Sequence, residues 1–91
     1  MVGKIDSLRI RIRKFILRVI TFARKIPKDE IGRILIGQLI RAVTSVGANF
    51  EEATETKTNK DLVYKFSVIK KELKETKYWI ELVCDCYPEL A

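Results

Sequence analysis

Ser45, Asn49, Glu51 and Glu52 place a hydroxyl, an amide and two carboxylates within about two helical turns, a set able in principle to relay protons. General acid–base catalysis needs carboxylates with shifted pKa values in a cleft and a second partner, and nothing adjacent supplies one. Steps of four and three put Ser45, Asn49 and Glu52 on one helical strip, suited to holding neighbouring helices in register, with Arg41 on a neighbouring strip as their counter-charge. The structural reading is the preferred one. The chain has no His, no nucleophile-and-base pattern and no Gly-rich phosphate loop, so no catalytic residue is assigned and no enzyme is expected. Cys84 and Cys86 fall short of a zinc ligand set, and their i, i+2 spacing suits a mutual disulfide poorly. They are expected to be reduced, partly buried thiols, and no metal or cofactor is assigned.

The stronger chemical signal is cationic. The net charge of +6 is unevenly placed: residues 1–25 hold eight basic side chains against Asp6 alone, whereas residues 26–91 hold ten basic and eleven acidic ones. Arg11, Lys14, Arg18 and Lys25, with Thr21 between them, recur at the helical period and form a strip that can track phosphates. Such binding is largely sequence-independent and weakens steeply with salt. No aromatic residue interrupts the strip, so base stacking of the single-strand-binding kind is not expected. A solvated surface and a helix lying on an anionic membrane are the other uses of this pattern, and its apolar side equally suits a bundle core. Tyr78 and Trp79 are neighbours, so at most one points fully inward; an exposed Trp79 beside Lys74 and Lys77 would anchor an interface, and the alternative is the rim of the monomer core.

Helices must position these groups. Leu8, Ile12, Phe15, Val19, Phe22 and Ile26 recur at three- and four-residue steps and predict a first helix over 5–26, capped by Asp6 or Ser7 and stopped by Pro27. Asp29 and Glu30 then open a second helix over 28–54, with the stripe Ile31, Leu35, Leu39, Ala42, Val46, Phe50 and Ala53. Gly32, Gly37 and Gly47 inside it each cost up to about 1 kcal/mol relative to Ala, which is recovered if another backbone packs closely there; a kink at Gly47 is the competing explanation. A polar loop from Thr54 to Asn59 leads to a third helix over 59–85, whose seam Leu62, Phe66, Ile69, Leu73, Thr76, Ile80 and Val83 steps by four and three. The last five residues look like a fresh helix start.

Ninety-one residues, few Gly and Pro and a high charged fraction point to one all-α domain spanning 1–91. The longest charge-free run is Ala42 to Phe50, too short to span a bilayer, and the first residues lack a signal-peptide pattern, so a cytoplasmic protein without integral membrane association is expected. A domain this small is marginal unless apolar area is covered from outside, which favours an oligomer.

The stretches from Gln38 to Ala53 and from Phe66 to Trp79, together with the turn Ile26-Pro27-Lys28-Asp29-Glu30, resemble the four-helix-bundle proteins encoded in intervening sequences of bacterial 23S rRNA genes, also called S23 ribosomal proteins. The resemblance implies an antiparallel up-and-down bundle, commonly a ring-like homopentamer without known catalysis, similar in fold to the accessory protein of diversity-generating retroelements. It also implies a structural polar motif on Ser45, Asn49 and Glu52, with Gln38 and Arg41 upstream. In this chain the family's fourth helix is missing, leaving three long helices and an apolar strip for subunits to cover. The function expected is therefore a homo-oligomer that binds RNA or DNA through Arg11, Lys14, Arg18 and Lys25. The alternative is a protein–protein adaptor that receives a basic enzyme or other protein.

Overall fold

A computed structural model describes residues 2–91, with side chains from residue 3 onward, and shows an all-helical chain with no strand among the described residues. Helix α1 spans Val2–Ala23, α2 Glu30–Thr54 and α3 Asn59–Cys86, followed by a single 3₁₀ turn at Pro88–Leu90. The first helix thus begins before Asp6, which lies inside it and pairs with Arg9 at 2.9 Å instead of capping it. It also ends three residues before the predicted Ile26. Lys25 N–H bonds Phe22 O and Ile26 N–H bonds Ala23 O, a tightening of the last turn that swings Ile26 into the core ahead of Pro27.

The second helix starts at Glu30, because Asp29 occupies the N-cap and its side chain accepts from the Gly32 N–H at 2.7 Å. Thr58 caps α3 by accepting from Asp61 N–H, one of the two caps the sequence offers. The third helix runs one residue past its predicted end, and Tyr87 N–H closes it on Val83 O.

Both α1 and α3 pack on α2, while the backbones of α1 and α3 do not approach each other. Leu35, Leu39, Ala42, Val43, Val46, Phe50 and Ala53 are the buried stripe of α2. One core cluster joins Val19, Ala23 and Ile26 to Leu35, Leu39, Val43 and Val83; a second joins Val46, Phe50 and Ala53 to Ile69. Average composition makes α2 long and apolar enough to cross a membrane, with mean hydropathy 1.2, a feature that a search for charge-free runs misses. Its burial between two helices accounts for that hydropathy.

Because α1 and α3 stand apart, a cleft of about 420 Å³ opens between them, floored by Val46 and Phe50 and walled by Leu8, Phe15, Phe66 and Leu73. The predicted seam of α3 is accordingly split. Ile69, Thr76 and Val83 face the core, whereas Phe66 and Leu73 are 47% and 41% exposed on the cleft side. Such an uncovered strip is what the sequence led us to expect of three helices.

The glycines of α2 divide in the same way. A Cβ on Gly32 would lie 1.7 Å from the Pro27 carbonyl oxygen, so the turn into α2 closes only over a glycine. One on Gly47 would meet Ile16 Cδ1 at 2.7 Å, so this glycine answers the close approach of α1. Gly37 has open space around it and no packing role within the chain. Gly32→Ala should therefore destabilise by about 3 kcal/mol or more through overpacking against backbone, and Gly37→Ala should stabilise by about 0.5–1 kcal/mol in urea unfolding of the isolated chain.

Candidate nucleic-acid interface

Arg11, Lys14, Arg18 and Lys25 are all exposed, and none enters an ion pair among the described residues. The first three stand on α1 on the side away from Ile16 and Ala23; Lys25 follows in the turn after it rather than in the helix. Arg11 also borders the cleft. The strip is therefore real as a surface, and its cations are not spoken for.

Arg9 is different. Its guanidinium hydrogen-bonds Glu51 at 2.8 Å and Asp6 at 2.9 Å, and lies 5.9 Å from the centroid of the Phe50 ring. The hydrogen bond from Arg9 lowers the Glu51 carboxyl below its ordinary pKa, with the charges of Arg9 and Arg13 adding to it. Glu51, read in the sequence as half of a carboxylate pair with Glu52, is thus tied to α1, while Glu52 bonds Lys65 on α3. The two acids leave α2 in different directions.

The motif residues likewise separate into local and cross-helix contacts. Asn49 Nδ2 donates to Ser45 O at 2.9 Å and Ser45 Oγ at 3.1 Å, both within α2. Arg41 is not the counter-charge of this cluster. It donates to Glu72 at 3.3 Å and to Glu75, both on α3, and weakly to Gln38 at 3.4 Å. The physical reason is burial: Glu72 is only 6% exposed and needs a cation, whereas Glu52 reaches solvent and Lys65. A signal for this pairing existed, since Glu72 falls between Ile69 and Thr76 on the strip that faces α2.

Glu75 shows two opposed effects. Burial raises its carboxyl pKa, but the charge and hydrogen bond of Arg41 outweigh that and hold it below the ordinary value. The nearby Trp79 indole adds to the lowering without closing a hydrogen bond, since its Nε1 is buried and unpartnered. Trp79 is half-buried against the core, and Tyr78, edge-on to it with centroids 5.0 Å apart, is the exposed member of the pair. An interface anchor on α3 would thus be Tyr78, not Trp79. Cys84 is half-buried and Cys86 exposed, so only the first matches a partly buried thiol.

The turn between α1 and α2 carries a contact with no sequence signal. Tyr87 O–H donates to Asp29 Oδ1 at 2.7 Å, the oxygen that also caps α2. The Gly32 N–H first, then the Tyr87 hydroxyl, lower the Asp29 pKa, and the bond to Asp29 pushes the Tyr87 phenol up to about 12.

A family model described as 23S rRNA-intervening sequence protein matches residues 10–87. The chain belongs to that family. Membership read from Gln38 to Ala53 and from Phe66 to Trp79 holds, and the match takes in all four strip cations and the Arg41 and Lys65 pairs, leaving Arg9 just outside. No curated protein and no solved structure gives a significant match.

The Arg41 pairs should matter to stability. Arg41→Ala, which strands the buried Glu72 carboxylate, should cost about 1–3 kcal/mol in urea unfolding, and Glu72→Gln in the same background should recover part of the loss. Depressed carboxylates at Asp29, Glu51 and Glu75 stabilise the fold above the ordinary carboxylate range, and that contribution is lost as pH falls through their folded values. At the other end the Tyr87 contribution is complete below tyrosine's ordinary pKa of about 10 and is lost as pH rises to about 12. Spectrophotometric titration should show a tyrosine step near pH 12 that Tyr87→Phe removes.

Proposed function

We propose that this 23S rRNA-intervening sequence family member is a non-enzymatic, cytoplasmic, homo-oligomeric protein that binds RNA or DNA through the basic surface of α1. One observation carries the reading: Arg11, Lys14, Arg18 and Lys25 stay exposed and without carboxylate partners, while the chain's acids are drawn into pairs with Arg9, Arg41 and Lys65. Cations held at helical spacing on a rigid rod suit a line of phosphates, whose neutralisation releases condensed counterions. The contact order between helices supports an antiparallel up-and-down arrangement, with Glu52 meeting Lys65, Arg41 meeting Glu72 and Asp29 meeting Tyr87. Self-assembly is supported by apolar residues left uncovered on two sides, Phe66 and Leu73 at the cleft and Ile31 and Ile34 on α2. Two unlike faces suit a closed ring, of which a pentamer is one case.

The variant Arg11→Glu/Lys14→Glu/Arg18→Glu/Lys25→Glu should keep its helical circular dichroism and oligomeric state and lose binding to a labelled generic RNA. Wild-type affinity should fall with salt at a log–log slope of about −3, four contacts on a single strand. A charge-reversed chain that binds as well as wild type would remove the reading.

A further inference from the structure

The cleft between α1 and α3 has the dimensions and periodicity of a missing rod. Leu8 and Phe15 on α1, and Phe66, Leu73 and Ile80 on α3, line it at seven-residue steps, the repeat of a heptad seam. An acyl chain or a compact ligand has no use for that register, whereas a helix sets its side chains between such knobs. The edges repeat at the same interval. Arg11 borders the α1 wall, with Lys4 and Arg18 seven residues to either side; Lys77 borders the α3 wall, with Lys70 seven residues before it. All five are exposed, and none is ion-paired among the described residues. Glu81, at the Ile80 end, is the acidic residue that lines the cleft.

We propose that this cleft receives, in trans, an amphipathic helix of a partner protein whose apolar seam is flanked by Asp and Glu. Charge complementarity selects the occupant. Heptad-spaced cations on both edges stand where the flanking positions of a third helix would pass, and they favour carboxylates and repel a basic partner. A second copy fits less well. The exposed Ile10 and Leu17 of its α1 lie among Arg13, Lys14 and Arg18, so docking that surface would set like charges against these edges. The inference stands apart from phosphate binding, although Arg11 and Arg18 would serve both.

The test uses the whole chain and no nucleic acid, so that a failure here and a failure of RNA binding are read separately. The probe is a labelled synthetic peptide of about three heptads with Leu at the seam and Glu on its flanks, compared by fluorescence anisotropy with the same peptide carrying Lys flanks. The Glu-flanked peptide should bind at least roughly tenfold tighter at low salt, and Arg11→Glu/Lys77→Glu should reverse the order of the two. Leu73→Asp should abolish binding of both. Should that chain unfold, the charge-reversed pair, changed at exposed positions, decides the matter. Equal affinity for the two peptides, no binding of either, or a wild-type dimer that resists the peptide and separates only on Leu73→Asp would overturn the proposal, the last by making a second copy the occupant.

Discussion

The apolar stripe of α2, from Leu35 to Ala53, is the surface on which both other helices bury their side chains, because α1 and α3 never meet. Any residue of that stripe therefore serves two interfaces, and the small residues along the helix have specific work. Gly47 lets α1 come close, Gly32 lets the incoming turn fold flat against the first turn of α2, and Ala42 and Ala53 keep the buried face narrow. A central helix with neighbours on two sides also leaves an opening between those neighbours. The cleft is a direct consequence of the topology, and its walls are apolar because helices of period 3.6 place residues there whether or not a partner is present.

Charge follows from the same arrangement. Helix α2 brings its acids to its C-terminal half, where Glu51 turns toward α1 and Glu52 toward α3, and α3 supplies Glu72 and Glu75 to Arg41. Exposed pairs of this kind are worth at most about 1 kcal/mol each, so they set alignment more than they set stability; Glu72, nearly sealed from water, is the exception. Once these acids are engaged, the first 25 residues have only Asp6 of their own, and it is turned to Arg9. The basic character of the surface is in this sense a residue of the packing as well as of the composition.

Much of this was legible in the sequence. Three helices, the stripe of α2, the cap at Thr58 and the cationic strip all follow from periodicity and local hydrogen-bonding preference, which are properties of a few neighbouring residues. What escaped depends on groups far apart in the chain. Arg41 was assigned to the acids of its own helix because i, i+4 neighbours can be counted, whereas its true partners lie on α3, a full helix away. The end of α1 was placed at Ile26 because that residue keeps the apolar rhythm; its burial is real but is reached through a tightened turn. Which of Tyr78 and Trp79 turns inward depends on the rotation of α3 about its axis, set by packing on α2 and invisible in adjacent letters.

One carboxylate oxygen, Asp29 Oδ1, holds both the first free amide of α2 and the hydroxyl of Tyr87. Helix ends ordinarily fray one at a time, each opening at little cost to the others. Here two ends share an acceptor, and the 3₁₀ turn at Pro88–Leu90 continues from the same tyrosine. Loss of order at the C-terminal turn would therefore release the start of the central helix as well, so this extremity behaves in amide exchange as a single opening unit, with Gly32 and Leu90 reporting the same event.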